Sequence, residues 1–467
     1  MKNKVEINMT KGNPIKVILI FALPILFGNV FQQLYNVVDT AIIGNVVGDQ
    51  ALAAVGATAA IYSLVIGFAS GMTNGFSVVL ARAFGSGKEE EMRKAVSLTV
   101  VLTVLISIGI TIVSIVCSKP LLVFLNTPDS IIEQSKTYLD IILLFTIVTM
   151  LYNMFAGLLR AIGNSRMPLL FLIVATIVNI VLDIIFVKGL GMGVAGAAYA
   201  TVISEIVSVI LSIVYIRKYC PFLWVKKEYL VLDYKLIYEL LMTGLSMGLM
   251  LALTSIGSVA LQSAVNSFGP EVIAAHTAAR KFDDIFMLPL GTLSMAASTF
   301  ASQNFGAGEK RRIYEGIKAS ILLAFIWSGI TCFIVWVLGK LLITALTGSS
   351  DELVINTAMQ YIKINIPFFF TLSILLILRS SLQGVGRKML PLAASGIELV
   401  AKFMAVGMIT PVLGYLGVCI IEPAIWIICA VIVFIDFIAF TRKSKQGKRS
   451  EEGLNNVTFI KVKRISN

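Results

Sequence analysis

The chain has 467 residues, of which 57% are hydrophobic and 14% charged, with a formal net charge of +12 and a mean hydropathy of +0.90. Soluble domains carry roughly 25% charged residues, so this composition excludes an ordinary soluble enzyme or nucleic-acid-binding domain. A single histidine, His276, rules out a site built from several histidines, and the five cysteines (Cys117, Cys220, Cys332, Cys419, Cys429) show neither metal nor disulfide spacing.

Residues 1–16 are polar and the first apolar run is too long for a signal core, so no cleaved leader is expected. A bilayer crossing needs roughly 20 apolar residues. Such stretches recur near 17–39, 52–79, 95–117, 138–159, 168–187, 194–216, 236–264, 271–298, 316–339, 355–379, 389–409 and 416–440. The expected fold is an all-α integral membrane protein with twelve spans.

The first span carries Asn29, Gln32, Gln33, Asn36 and Asp39 at three- and four-residue steps, which places them on one helix face. An apolar helix with one amide-rich stripe turns that side to water or protein. Pro24 removes a backbone hydrogen bond upstream of the stripe and marks a point where the helix can bend. The fifth span holds Asn179 and Asp183, one turn apart, and the sixth holds Thr201, Ser204, Glu205, Ser208 and Ser212. Two carboxylates in this half of the chain, with an amide and a hydroxyl, supply oxygen ligands for Na⁺. They equally suit a proton, because two carboxylates in a low dielectric cannot both ionise cheaply.

The longest polar break, Arg217 to Lys235, is the expected linker between halves. Beyond it, the seventh span offers Thr254, Ser255, Ser258, Gln262 and Asn266, and the eighth His276, Arg280, Asp283 and Asp284. Glu398 and Lys402 form an i, i+4 pair on the eleventh, and Glu422 and Asp436 lie on the twelfth. Internal neutralisation of buried charge is the simpler reading of the second-half charges; a polar cavity wall that touches substrate is the alternative. Methionine and aromatic positions such as Met242, Met247, Met250 and Phe368 to Phe370 are read mainly as packing or lipid-facing.

The chain also repeats itself. Val47 to Ala54 falls on Phe268 to Ala275, and Ala83-Phe84-Gly85-Ser86-Gly87 on Asn304-Phe305-Gly306-Ala307-Gly308, both at an offset of 221. Ile162-Gly163, Pro168 and Leu169 fall on Val385-Gly386, Pro391 and Leu392 at an offset of 223. Two copies of one unit in a membrane protein mark a repeat-built transporter, with its site between or within the repeats. The expected division is a six-helix lobe over 1–220, a linker over 221–235, a second six-helix lobe over 236–440 and a basic tail over 441–467. With the N-terminus in the cytoplasm, inward segments hold thirty basic residues, Arg160, Arg166 and Arg379 among them, and outward loops four: Lys119, Lys136, Lys188 and Lys340. That bias places both termini, the linker and the tail inside and accounts for the net charge without nucleic acid.

The segments Gln32-Gln33-Leu34-Tyr35-Asn36-Val37-Val38-Asp39-Thr40, Leu52-Ala53-Ala54-Val55-Gly56, Ala83 to Gly87, Arg160-Ala161-Ile162-Gly163-Asn164 with Pro168, Asn179 to Asp183, and Gly193 to Ala198 with Thr201 resemble those of multidrug and toxic compound extrusion (MATE) transporters of the prokaryotic type. The resemblance covers nearly the whole chain. It implies two six-helix lobes in a V around a central cavity, and export of amphiphilic, often cationic, compounds against entry of H⁺ or Na⁺. Asp39, Asn179, Asp183 and Thr201 would form the coupling-ion site, with Pro24 as hinge. Asn29, Gln32, Tyr35, Asn36, Glu205, Gln262, His276 and Arg280 are the candidate cavity-lining residues. Some branches of the family carry acids on the seventh and tenth spans; here Asp39 aligns with Ala260 and the tenth has no carboxylate, so coupling is expected in the first lobe alone.

A lipid-linked precursor flippase on the related two-lobe plan is the alternative. It would favour a basic cavity for pyrophosphate, and the first lobe reads as having no buried arginine. An enzyme is not expected, for want of clustered nucleophiles, bases or ligands. The chain lacks a Gly-x-x-x-x-Gly-Lys-Ser/Thr motif, which argues against direct use of ATP. No cofactor is expected beyond the coupling ion. The chain is expected to act as a monomer in the inner, cytoplasmic membrane, with small amphiphilic molecules and the bilayer as its partners.

Overall fold

A computed structural model describes residues 7–347 and 351–465, with side chains as far as Arg442 except those of Lys227 and 346–350. The tail's basic side chains beyond Arg442, expected at the lipid headgroups, lie outside the described residues. Among those residues every regular element is helical, the arrangement that satisfies each backbone N–H and C=O where no water is available. The first half folds as α1 (Pro14–Val46), α2 (Asp49–Gly85), α3 (Glu89–Phe124), α4 (Asp129–Leu144), α5 (Thr146–Ala161), α6 (Arg166–Asp183) and α7 (Gly193–Tyr219). The second folds as α8 (Tyr234–Val265), α9 (Pro270–Gly306), α10 (Lys310–Thr347), α11 (Glu352–Asn365), α12 (Phe369–Gly384), α13 (Met389–Met408), a single turn α14 (Thr410–Leu413) and α15 (Tyr415–Ile465). Among the described residues 11 helical segments are long and apolar enough to cross a membrane, and the bent pair α4–α5 makes the count 12.

Local chemistry sets the ends. The Asn13 side chain accepts from the backbone N–H of Ile15 (2.9 Å) and Lys16 (3.4 Å), with Pro14 at the first helical position. Asp233 starts α8 in the same way, accepting from Leu236 N at 3.0 Å. Between α7 and α8 the chain makes two short 3-10 turns, Pro221–Leu223 and Lys227–Tyr229.

Two spans expected to run straight are broken. The stretch 138–159 bends by 49° between α4 and α5. Hydroxyls compensate at the break: Thr146 Oγ1 and Thr111 Oγ1 both donate to the Leu143 carbonyl, at 2.7 and 3.2 Å. The stretch 355–379 is interrupted by a 3-10 turn at Ile366–Phe368, where Pro367 has no N–H to give. There Asn365 Nδ2 donates to the carbonyls of Tyr361 (3.0 Å) and Cys419 (3.1 Å). Phe145 and Phe368 are repeat-equivalent positions at the 223 offset, so both copies break at the same level.

The backbone keeps the same repeat elsewhere. Glycines with positive φ come in pairs: Gly48 and Gly269 (106° and 94°), Gly87 and Gly308 (72° and 75°), Gly163 and Gly386 (85° and 87°). These are conformations an L side chain rarely adopts. The outward faces of α3 and α10 match as well. Leu105, Ile112 and Val116 are exposed on one, and their equivalents Ile326, Phe333 and Val337 on the other, as befits helices that face lipid.

The repeats close on each other along α2 and α8. A Cβ at Gly75 would lie 2.5 Å from the Gly244 Cα, and one at Gly71 2.6 Å from the Gly248 Cα. At the same end α2 crosses α9 reciprocally. A Cβ at Gly85 would meet the Gln303 carbonyl, and one at the equivalent Gly306 the Arg82 carbonyl, each at 2.0 Å. Toward the opposite end the helices separate: Gly67 has only Ser255 Oγ at 3.9 Å, and Gly56 has no neighbour within 4 Å. The molecule is thus closed at one end and open at the other.

Gly75→Leu should hold the closed end apart. Spin labels at the exposed positions 90 and 309 should then report a longer separation than in wild type, with transport lost and membrane insertion intact. A wild-type distance distribution would show that the glycine crossing does not set closure.

Candidate ion and substrate site

In the first half, α1, α2, α6 and α7 surround a cavity of about 580 Å³ that reaches toward the open end. The stripe on α1 contributes Gln32, Tyr35, Asn36 and Asp39 to its wall; Gln33 is exposed, and Asn29 lies lower, where its amide donates to Thr292 Oγ1 at 3.1 Å. Asp39 and Asp183 lie side by side. Asp39 is 9% exposed, Asn179 1% and Asp183 0%. Asp183 ends the regular part of α6, and the next turn, Ile184–Gly189, widens into a π-helix. Such widened turns recur at functional sites.

The hydrogen-bond account of this corner does not close. Both carboxylate oxygens of Asp183, both amide ends of Asn179 and Oδ1 of Asp39 have no hydrogen-bond partner among the described residues. Buried polar atoms left so are costly. The donor set is two carboxylates and an amide oxygen, all hard ligands, and it fits Na⁺ or a proton shared between the acids. Thr201 is joined to this group through Tyr35, whose hydroxyl lies 2.9 Å from Thr201 Oγ1. Glu205, one turn further along α7, accepts from Thr149 Oγ1 at 2.6 Å. Pro24 lines a lower chamber beneath the main cavity, and α1 continues through it as a helix.

A family model described as MatE matches the chain twice, over residues 24–185 and 246–406. The chain belongs to the MATE family of multidrug transporters. It is 30% identical over 365 residues to the probable multidrug resistance protein YpnP of Bacillus subtilis, covering 78% of this chain and 80% of that one. It is 27% identical to the probable multidrug resistance protein YoeA of the same organism, covering 91% and 94%. Among solved structures, an outward-facing multidrug resistance MATE transporter superposes with a TM-score of 0.86 at 21% identity, covering 96% of this chain and 100% of that one. That last likeness speaks to the fold.

The second MATE repeat handles charge differently. Gln262, His276 and Arg280 line a separate cavity of about 410 Å³, bordered also by Ser63 of α2. His276 is nearly buried, with Nδ1 3.2 Å from the Tyr415 hydroxyl. Arg280 pairs with Glu422 at 2.7 Å, and Glu422 also accepts from Tyr361 Oη at 2.9 Å. Lys402 sits between Glu422 (3.5 Å) and Glu398 (3.4 Å), and Glu398 holds Arg379 at 3.2 Å. Asp283, fully buried and within electrostatic reach of Arg280, has no hydrogen-bond partner for either carboxyl oxygen among the described residues.

The Glu398–Lys402 pair read from sequence is therefore one link of a network spanning α9, α11, α12, α13 and α15. Two residues counted as inward-loop charges belong elsewhere. Arg379 is part of this network, and Arg160 lines the lower chamber of the first half. The reading that the first lobe holds no buried arginine is corrected by Arg160, which lines the lower chamber: α5 runs helical to Ala161, past the expected end of that span at 159. Sequence inspection also passed over Tyr62, Tyr138 and Tyr152, which face the main cavity; an aromatic among apolar residues gives no local sign of which way it points.

Glu422→Gln should leave Arg280 and Lys402 short of counter-charge in an apolar bundle. Breaking a buried pair in this way costs about 3–5 kcal/mol. A large loss of thermal stability in detergent is expected, against no measurable change for Glu315→Gln in the exposed Arg311–Glu315 pair. Equal melting of the two variants would mean that the network carries no stability.

Proposed function

We propose that this MATE protein is a secondary active exporter that expels amphiphilic, cationic compounds in exchange for H⁺ or Na⁺ through the Asp39–Asp183 pair. The observation that carries the reading is that pair itself. Two carboxyls lie side by side in a buried corner beside an amide without partners among the described residues, and Asp39 and Asn179 of this group line a cavity large enough for a drug-sized molecule. An entering proton or Na⁺ neutralises the corner. A cationic substrate in the same cavity favours the opposite state of the pair, so each ligand lowers the affinity of the other by one common factor.

The closed end carries Arg82, Lys88, Lys310 and the N-terminal segment, where Met9 N donates to Gln303 Oε1 at 3.2 Å. By the positive-inside rule that end faces the cytoplasm, with both termini, so the cavity opens outward in the state that releases drug and takes up the ion. We place the protein in the cytoplasmic membrane and read it as acting as a monomer. The relatives described above are named for multidrug resistance, which favours export of drugs over flipping of a lipid-linked precursor.

Efflux from sealed vesicles, with a Na⁺ gradient and a pH gradient imposed separately, tests the reading and identifies the ion. Neither gradient driving export would sink it. Asp39→Asn and Asp183→Asn should each abolish gradient-driven export in a folded protein. The double variant should be no worse than either single one, because the two acids act as a unit. Wild-type export by either variant would remove that acid from the coupling. Pro24→Ala restores a backbone N–H within α1, so it should slow efflux while leaving ion affinity unchanged; unchanged efflux would exclude a bend at Pro24 from the cycle.

A further inference from the structure

The cavity beside Asp39 continues downward. A chamber of about 270 Å³ shares Gln32, Tyr62, Tyr152 and Glu205 with it and extends toward the closed end. At its lower wall stands Arg160, on the last turn of α5. A guanidinium has five N–H donors. This one makes a long bond, Nη2 to Asn74 Oδ1 at 3.5 Å. Elsewhere in the chain Arg82, Arg93, Arg280, Arg311, Arg379 and Arg387 each hold a carboxylate. No carboxylate among the described residues comes within 4.0 Å of Arg160. A second, independent donor faces the same space: Ser165 lines the chamber, is 2% exposed, and its hydroxyl has no partner among the described residues. Asn74 spends its carbonyl oxygen on Arg160, which leaves its NH₂ for a ligand.

The chamber thus has donors at one end, an acid at the other and a wall of mixed polarity between, where Asn29, Ser70 and Asn153 stand among apolar side chains. Arg160, Ser165 and Asn74 present donors below; Glu205 presents an acid above; Ala156, Leu169 and Leu172 form the apolar part of the wall between. Tyr152 lies within electrostatic reach of both Glu205 and Arg160. A cation held in such a place without a counter-ion is expensive, and an anionic ligand relieves that cost through a planar, two-bond pairing. We propose that this chamber is a carboxylate subsite. It selects zwitterionic amphiphiles, whose carboxylate pairs with Arg160 while their ammonium turns up toward Glu205 and the Asp39 end. The proposal rests on the efflux reading and narrows its substrate class.

Binding and efflux of two fluorescent amphiphilic amines, differing only in a free carboxylate against its methyl ester, provide the test. Wild type should bind the acid about tenfold to a hundredfold more tightly than the ester, the usual strength of a hydrogen bond to a charged group. Arg160→Gln should erase that preference by lowering acid binding toward that of the ester, with membrane insertion and a thermal melt reporting that the variant is folded. Arg160→Lys should retain part of the preference, since it keeps the charge without the fork. Equal wild-type affinity for acid and ester would overturn the subsite and leave the efflux reading standing. So would an equal loss of both ligands in Arg160→Gln, which would make Arg160 structural. Failure of wild type to export either compound under any imposed gradient would remove the efflux reading, and the subsite with it.

Discussion

A charge inside an apolar bundle must be neutralised by something inside the bundle, and the two halves of this protein meet that demand in opposite ways. The second half does so with its own side chains. Arg280, Lys402 and Arg379 are threaded between Glu422 and Glu398, each held by a carboxylate on another helix, while Asp283 lies within electrostatic reach of Arg280 on the same helix. The first half leaves Asp39 and Asp183 against each other, with no ion pair to a basic side chain among the described residues. A carboxylate already held by a built-in cation has little to exchange. A pair of like charges has a neutral state only when something from solution joins it.

The repeat makes this contrast sharper. At the 223 offset that superposes α6 on α13, Lys402 occupies the position of Asn179, and Glu398 that of Ala175. Asp39 on α1 corresponds to Ala260 on α8. One backbone plan, down to its left-handed glycines and its paired helix breaks, thus carries a tethered ammonium in one copy where the other presents an amide and two carboxyls. The second copy behaves as a unit whose cation is built in. This is a physical reason to look for exchange in the first.

What sequence revealed and what it hid follow the range of the interactions. The stripe of Asn29, Gln32, Asn36 and Asp39, and the one-turn spacing of Asn179 and Asp183, are local periodicities, visible because a helix repeats every 3.6 residues. The duplication was legible for the same reason: its glycines are demanded by backbone geometry at fixed positions. The partnership of Arg280 with Glu422 spans 142 residues and leaves no local trace. Arg160 was hidden by a different limit. An arginine next to Ile162-Gly163-Asn164 reads as the edge of a loop, but α5 continues to Ala161 and carries the side chain inward. The break at Ile366–Phe368 was written in Pro367 and outweighed by the apolar run around it.

These features converge on α1. Its first turns do not pack only within their own repeat. Ile18, Phe21, Ala22 and Ile25 belong to the same buried cluster as Ala296 and Phe300 of α9 and Ile313 and Ile317 of α10. Its later turns carry Asp39 to the carboxyl pair and line the main cavity. Pro24 stands next to Ile25 where these two regions meet, at the interior position where the helix lacks a backbone donor. A change of charge at Asp39 therefore acts on a rod whose other end is anchored in the opposite repeat. A coupling between sites needs an element with two arrangements that both ligands bias; α1 is positioned to be that element for the proposed exchange, because the carboxyl pair, the main cavity and the junction of the two repeats are all contacted by this one helix.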